Sequence, residues 1–265
     1  MSKSLIVIPA RMASKRFPGK PLAEIAGISM IRRTARIAET LGSSDYVIAT
    51  DHAEIAAHCE AHTLPVVMTK ADLPSGSDRA LAAAKIFKPD AEIILNLQGD
   101  APFTDPAHIK AVVARLLTDD VDIATPAIQL SWEALDRLRE AKRTTPFSGT
   151  TVIEVDGRAI WFSKNIIPAI RKETALREAA PLSPILRHIG LYGFRRAALE
   201  RFTNLPQSRF ETLEGLEQLR ALENGLSIAI VKVEPPQISS PGIDTPEDLK
   251  RAEALIETYG DPFRS

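Results

Sequence analysis

Between positions 9 and 21 the chain reads Pro-Ala-Arg-Met-Ala-Ser-Lys-Arg-Phe-Pro-Gly-Lys-Pro, which places Arg11, Lys15, Arg16 and Lys20 within ten positions. Cations this close repel one another unless they face water or an anion. A polyphosphate is the natural partner of such a cluster, and a solvated basic loop is the alternative that charge by itself leaves open. Gly19 permits close backbone approach, and Pro18 and Pro21 stiffen the end of the loop. The segment is not a Walker A loop, because Gly19-Lys20 is followed by proline and no second glycine stands at the right spacing; no G-x-G-x-x-G occurs either. Asp100, in Gln98-Gly99-Asp100-Ala101-Pro102, follows an apolar run. A carboxylate there suits Mg²⁺, a hard cation that takes oxygen ligands and keeps several waters. Asp244, in Gly242-Ile243-Asp244-Thr245-Pro246-Glu247-Asp248, is either the N-cap of the next helix or a second carboxylate on the same metal, with Thr245 as the cap.

Three further groups carry chemistry. Ser75-Gly76-Ser77-Asp78-Arg79 puts hydroxyls and backbone N–H groups at a helix start, where they can read a base edge or a phosphate or simply cap the helix. His188 and Tyr192 fall on an expected strand, Arg187–Phe194, whose alternation sets His188, Gly190, Tyr192 and Phe194 on one face. They form either the floor of a ligand site or a packed core pair. Glu211, Glu214 and Gln218 recur at helical spacing, which makes them a solvated face or a set of acceptors for sugar hydroxyls. His52, His58, His62 and His108 form no convincing metal set, and Cys59 reads as a small buried hydrophobe.

The elements that must position these residues alternate β-α-β-α through the first half. Strands are expected at Leu5–Pro9, Tyr46–Ala49, Val66–Met68, Glu92–Leu97 and Val121–Ala127. Helices are expected at Ser29–Leu41, Ala53–His62, Ser77–Phe87 and Pro106–Leu117. This order predicts a mostly parallel sheet with helices on both faces, whose ligands bind beyond the carboxyl ends of the strands. The basic loop, Ser75–Arg79 and Gln98–Pro102 all fall there. From Trp132 the rhythm changes: Val152–Val155 and Ala159–Ser163 flank Asp156-Gly157, a strong hairpin signal. Gly190–Phe194 and Ser227–Val233 read as strands, Leu213–Leu222 and Pro246–Glu257 as helices, and Glu173–Pro184 as a mobile loop.

With 265 residues, 45% apolar and 25% charged, the chain can fill a sizeable core. A net charge of −1 recruits neither nucleic acid nor an anionic membrane. One cysteine excludes a disulfide framework and a cysteine zinc cluster. No stretch approaches the roughly 20 apolar residues of a membrane span, so a cytoplasmic enzyme is expected.

The ordered segments IPARMASKRFPGKPL (8–22), VIATDHAEIA (47–56), SGSDRA (75–80), ILNLQGDAP (94–102), AIWFSKNIIP (159–168), RHIGLYGFR (187–195), LEGLEQLRALENG (213–225) and GIDTPEDLKRAE (242–253) resemble the 3-deoxy-manno-octulosonate (Kdo) cytidylyltransferases, also called CMP-Kdo synthetases. The resemblance spans nearly the whole chain. It implies a three-layer α/β fold like that of nucleotide-diphospho-sugar transferases, as a single domain over 1–265. Within it, 150–200 would be an antiparallel insertion used for the sugar site and for homodimerisation. It implies transfer of CMP from CTP to a 2-keto-3-deoxy sugar acid with release of pyrophosphate, for lipopolysaccharide or surface polysaccharide synthesis. By position, Ala10, Arg11, Ser14, Arg16 and Lys20 would hold the nucleotide with Ser75, Gly76, Arg79 and Gln98. Asp100 and Asp244 would hold Mg²⁺. Gln98, Lys164, His188, Tyr192, Glu211, Glu214 and Gln218 would face the sugar.

Three positions depart from the family's usual pattern. Ala101 stands where glutamate is usual, Lys164 where arginine is usual, and Thr151 where a strand lysine is usual. Lysine does not replace arginine at a bidentate carboxylate site, so the nucleotide half reads as intact and the sugar half as altered. An amino-substituted octulosonate (8-amino-Kdo) or a nonulosonate therefore stays open as acceptor, as does a non-catalytic nucleotide-binding protein.

Overall fold

The structure is a computed structural model that describes residues 3–14, 16–42, 45–236, 238 and 242–263. In chain order its elements are β1 (Ser4–Ala10), β2 (Glu24–Ile25), β3 (Ile28–Ser29), α1 (Met30–Thr40), β4 (Tyr46–Thr50), α2 (Ala53–Ala61), β5 (Val66–Met68), α3 (Gly76–Phe87), β6 (Ile93–Leu97) and α4 (Pro106–Thr118). There follow β7 (Ile123–Ser131), α5 (Trp132–Thr144), β8 (Thr151–Val155), β9 (Arg158–Ser163), α6 (Glu173–Ala179), β10 (Leu182–His188), β11 (Leu191–Arg195), α7 (Arg196–Thr203), α8 (Arg209–Glu214), α9 (Gln218–Glu223), β12 (Ile228–Lys232) and α10 (Pro246–Tyr259). The chain divides into two compact units, one of residues 1–110, 193–199 and 236–265, the other of residues 111–192 and 200–235.

In the first unit β6, β1, β4 and β5 pair side by side, all parallel. Every residue of β4 and β6, and all but one of β1, is buried. Successive strand residues point to opposite faces, so burial without alternation means that both faces are covered. The expected three-layer α/β arrangement is met here. Parallel pairing puts the carboxyl ends of β1 and β6 at the same edge, and Gly99 lets them meet. A Cβ on Gly99 would lie 2.6 Å from the Pro9 carbonyl oxygen, closer than packed atoms tolerate, and backbone cannot swing aside as a side chain can. Gly99→Ala is expected to lower stability by about 1–3 kcal/mol through this overpacking, read as a lower denaturant midpoint; an unchanged midpoint would contradict the close approach.

The second unit orders its strands β10-β8-β9-β12-β7, and β10 also pairs with β7, so the pairing closes on itself. β7 and β12 run parallel, whereas β8, β9 and β10 pair antiparallel. The hairpin expected at Asp156-Gly157 forms with both residues at positive φ, 50° and 75°, as the right-handed twist of two-residue hairpins requires.

Several expectations are corrected. The strand expected over Arg187–Phe194 breaks after His188, so β10 and β11 are separate and single-strand alternation does not link His188 to Tyr192. The helix expected over Leu213–Leu222 breaks at Gly215, whose φ of 63° ends α8 before α9 begins at Gln218. Glu211 and Glu214 lie on α8 and Gln218 on α9, so they do not share one helical face. Glu173–Pro184 is not a loop but holds α6 and the start of β10. Arg139 and Arg177 ion-pair with Glu173 and hold its carboxyl down at about 2.

Candidate active site

The first unit gathers its candidate residues at the carboxyl ends of β1 and β6. The chain leaves β1 through Arg11, whose guanidinium donates to the carbonyl oxygens of Leu73 and Ser75 at 2.5 and 3.1 Å. This ties the basic loop to the segment that opens α3. Ser14 Oγ accepts from the Phe17 N–H, closing the loop locally. Gly19, at φ 72°, turns the chain into a short 3-10 turn over Lys20–Leu22. Phe17 packs on a cluster of Ile25, Met30, Ile243, Ala252 and Ile256, so one apolar anchor serves both the basic loop and the loop before α10. Lys15 lies outside the described residues.

Lys20 is the centre of this arrangement. Its Nζ donates to Asp100 Oδ2 at 2.7 Å and to Asp244 Oδ1 at 3.1 Å, and Arg16 Nη2 stands 3.0 Å from Asp244 Oδ2. The Lys20 side chain is 14% exposed. Burial works against its charge, but the two carboxylates outweigh it and hold its pKa above the ordinary lysine value. The Ile243 N–H donates to the Asp100 carbonyl at 2.8 Å, which sets the two aspartates side by side. Thr245 caps α10 in a capping box with Asp248. The alternative left open at Asp244 is thereby decided: capping falls to Thr245, and the Asp244 carboxylate turns to Lys20 and Arg16.

Ser75 caps α3, its Oγ accepting from the N–H groups of Ser77 and Asp78. A Cβ added at Gly76 would meet Asn96, Pro9 and Gln98 at ordinary contact distance. Gln98 donates to Asn96, which in turn reaches Ser77 Oγ. Ala10 ends β1 and is buried. Arg79 is fully buried and pairs with Asp51 at 2.7 Å and with Thr69. Asp51 and Asn96 were not among the sequence candidates. Both could have been found by the rule that selected Asp100, since each lies at the carboxyl end of a parallel strand.

The second unit holds the remaining candidates. His188 Nε2 is 2.8 Å from Thr125 Oγ1, and its ring packs on Phe162 and Tyr192 at 5.1 and 5.3 Å between centroids. Burial and the Lys164 charge push its pKa down to about 3, so the imidazole is neutral at physiological pH. Burial, with Glu217, raises the Tyr192 phenol well above its ordinary value. Glu214 accepts from Ser163 Oγ and the Lys164 N–H, both at 2.8 Å. Glu211 is buried; it closes a capping box with Ser208 and pairs with Arg220 through two bonds. Gln218 is buried and its Nε2 has no hydrogen-bond partner among the described residues, which leaves a donor for a ligand. Lys164 is half-buried, and burial lowers its pKa against the opposing pull of Glu214.

The sequence profile of the cytidylyltransferases matches residues 5–228. The chain belongs to this family. Two similar relatives are the 3-deoxy-manno-octulosonate cytidylyltransferases of Maricaulis maris (strain MCS10) and Azorhizobium caulinodans. The first is 45% identical over 97% of this chain and 98% of that protein. The second is 41% identical over 96% of each. A solved CMP:2-keto-3-deoxy-manno-octonic acid synthetase in complex with CTP superposes with a TM-score of 0.82 at 32% identity, covering 97% of this chain and 99% of that one. A cytidylyltransferase of Leptospira borgpetersenii, at 16% identity and a TM-score of 0.60, shares the fold. This cytidylyltransferase is a nucleotidyltransferase of the expected α/β class. Among its described residues no helix is long and apolar enough to cross a membrane.

Whether a cytidylyltransferase with these residues can take Mg²⁺ turns on its donor set. Among the described residues no group of three or more histidines, cysteines and carboxylates converges. Two carboxylates do, on the single Lys20 ammonium. Mg²⁺ in phosphate chemistry is typically held by one or two carboxylates plus substrate phosphates and waters. Asp100 and Asp244 fit that requirement.

Proposed function

We propose that this cytidylyltransferase joins CMP from CTP to the anomeric hydroxyl of a 2-keto-3-deoxy sugar acid, Kdo, and releases pyrophosphate. It would act in the cytoplasm as one catalytic domain, supplying activated sugar for lipopolysaccharide or surface polysaccharide. The observation that carries this reading is the convergence of Lys20, Arg16, Asp100 and Asp244 on one spot beside the loop that opens α3. That set can meet a triphosphate, and its retention speaks against a non-catalytic nucleotide-binding protein.

In the reaction a bond forms from the sugar oxygen to the α-phosphorus while the bond from that phosphorus to pyrophosphate breaks, and the hydroxyl proton passes to water. Asp100 and Asp244 would hold Mg²⁺, which would supply Lewis acidity toward the phosphoryl oxygens. Lys20 and Arg16 offset the charge that gathers on the departing pyrophosphate, and Arg11 and Ser14 shape the loop that carries them. Ser75, Gly76, Arg79 and Gln98 would line the nucleoside side. No covalent intermediate is required, and catalysis is positioning plus electrostatics.

In the second unit Lys164 would meet the sugar carboxylate, with Gln218 Nε2, His188 and Tyr192 on its hydroxyls. Glu211 and Glu214 would support that site, since both carboxylates already hold partners within the chain. Exposed Val155, Ile160 and Leu182 on β8, β9 and β10 support a homodimer formed through the 150–200 segment.

Lys164 gives the reading a pH signature. A lysine whose pKa is lowered loses its charge earlier as pH rises, and the charged form is the one that meets a carboxylate. KM for the sugar acid is expected to climb as pH rises, with the climb beginning below the ordinary lysine value near 10.4 because burial lowers the Lys164 pKa. Lys164→Arg should flatten that climb, because guanidinium stays protonated. A flat profile in the unmodified protein would contradict the assignment.

The acceptor itself is tested by pyrophosphate release from CTP and Mg²⁺ with Kdo, 8-amino-Kdo and a nonulosonate. Kdo should give the highest kcat/KM. Because Lys164, Thr151 and Ala101 depart from the usual residues, turnover of a nonulosonate without Kdo turnover is the specific result that would replace this reading.

A further inference from the structure

Lys142, in the last turn of α5, was not a sequence candidate, yet its ammonium is surrounded by backbone. Its Nζ donates to the carbonyl oxygens of Lys164 at 2.6 Å, Gly149 at 2.9 Å and Pro146 at 3.3 Å, and also to that of Ser148. Three of these acceptors belong to the loop that follows its own helix. The fourth is the backbone of Lys164, twenty-two positions away.

The opposite side of the same peptide is fixed as well. The Lys164 N–H donates to Glu214 Oε2 at 2.8 Å, and Ser163 Oγ donates to Glu214 Oε1. Ser163 Oγ accepts from the Asn165 N–H at 2.9 Å. Thr151 is buried and spent on the next stretch, donating to the Asn165 carbonyl at 2.7 Å and accepting from the Ile167 N–H at 3.1 Å. Both ends of the Lys164 backbone are therefore held, one by a carboxylate and one by an ammonium. Its side chain is half-buried: burial disfavours its charge and the Glu214 carboxylate favours it. A half-buried ammonium on a clamped backbone is organised for an anion that arrives from outside.

We infer that Lys142 is a positioning residue for the sugar acid, fixing the Lys164 backbone so that the Lys164 ammonium meets the substrate carboxylate. This rests on the reading of Lys164 as the carboxylate-binding cation. Lys142 touches no substrate itself, because its donors are taken up by backbone carbonyls. It is also close enough in charge to Lys164 for the two ammonium groups to disfavour each other, so its place is set by the carbonyls and not by attraction to the site.

The test compares Lys142→Met, Lys142→Arg, Lys164→Met and the Lys142→Met/Lys164→Met double variant, measuring KM for the sugar acid and for CTP separately. Lys142→Met should raise the sugar KM by about ten- to a hundredfold, the scale of a misplaced positioning group, with the CTP KM unchanged. Lys142→Arg keeps charge and donors, should recover most of the loss, and serves as the folded control if Lys142→Met does not fold. In the Lys164→Met background, Lys142→Met should add nothing, since it acts through Lys164. Additive losses, equal loss toward CTP and sugar acid, or a Lys142→Arg variant no better than Lys142→Met would overturn the inference. A normal sugar KM in Lys164→Met would instead remove the reading of Lys164 on which it rests.

Discussion

Asp100→Asn is expected to lower kcat by about a thousandfold while leaving the protein folded. The magnitude follows from the several kcal/mol that a charge-neutralising centre contributes to phosphoryl transfer, at tenfold for each 1.4 kcal/mol or so. Asparagine keeps the shape and the backbone carbonyl that accepts from Ile243, so the pairing of the Asp100 and Asp244 loops persists. What is lost is one of the two negative charges that converge on Lys20. The Mg²⁺ concentration needed for half-maximal rate should rise in the same variant. CTP affinity should change little, because Lys20, Arg16 and the α3 start are untouched. Retention of a tenth or more of the activity would mean that Asp100 does not organise the charge at this site.

Arg79→Met is expected to act on stability first. The guanidinium is fully buried and its partner Asp51 is 17% exposed. Removing one member of a buried pair leaves the other uncompensated, which costs about 3 kcal/mol or more. For a chain of this size that corresponds to a Tm lowered by roughly 6–12 °C. Replacing both members, Arg79→Met with Asp51→Leu, should recover part of the loss, because no charge is then stranded. If Arg79→Met melts with the unmodified protein and only the KM for CTP rises, Arg79 serves the nucleotide and not the fold.

The sequence made the first unit legible because its signals are local. Apolar runs as dense as Leu5–Pro9 and Glu92–Leu97 leave no choice but strands covered on both faces, and parallel order then dictates where their following loops gather. The basic loop, Ser75–Arg79 and Asp100 were found by that rule. Asp244 could be narrowed to two roles but not one, since Thr245 and Asp244 both suit a cap; only the tertiary contact with Lys20 separates them. The second unit was read less well, for reasons that are also physical. Alternation continues through Ile189 and Gly190, so nothing local marks the end of β10. An isolated Gly215 inside an apolar pattern is compatible with a continuous helix, and its left-handed turn is set by the packing of α8 against α9. α6 is held by ion pairs from Asp136 and Arg139 on α5, a cause far away in sequence. Lys142 is silent in the sequence for the same reason: a lysine near a helix end carries no signal apart from the loop that wraps it.

Phosphorus NMR of a single reaction tests the account most directly. With CTP, Mg²⁺ and Kdo, the α-phosphorus resonance should convert to that of a sugar phosphodiester as inorganic pyrophosphate appears in equal amount, and UTP, ATP and GTP in place of CTP should give far slower conversion. Turnover of UTP with none of CTP, or release of inorganic phosphate in place of pyrophosphate, would contradict cytidylyl transfer at the Lys20, Asp100 and Asp244 site.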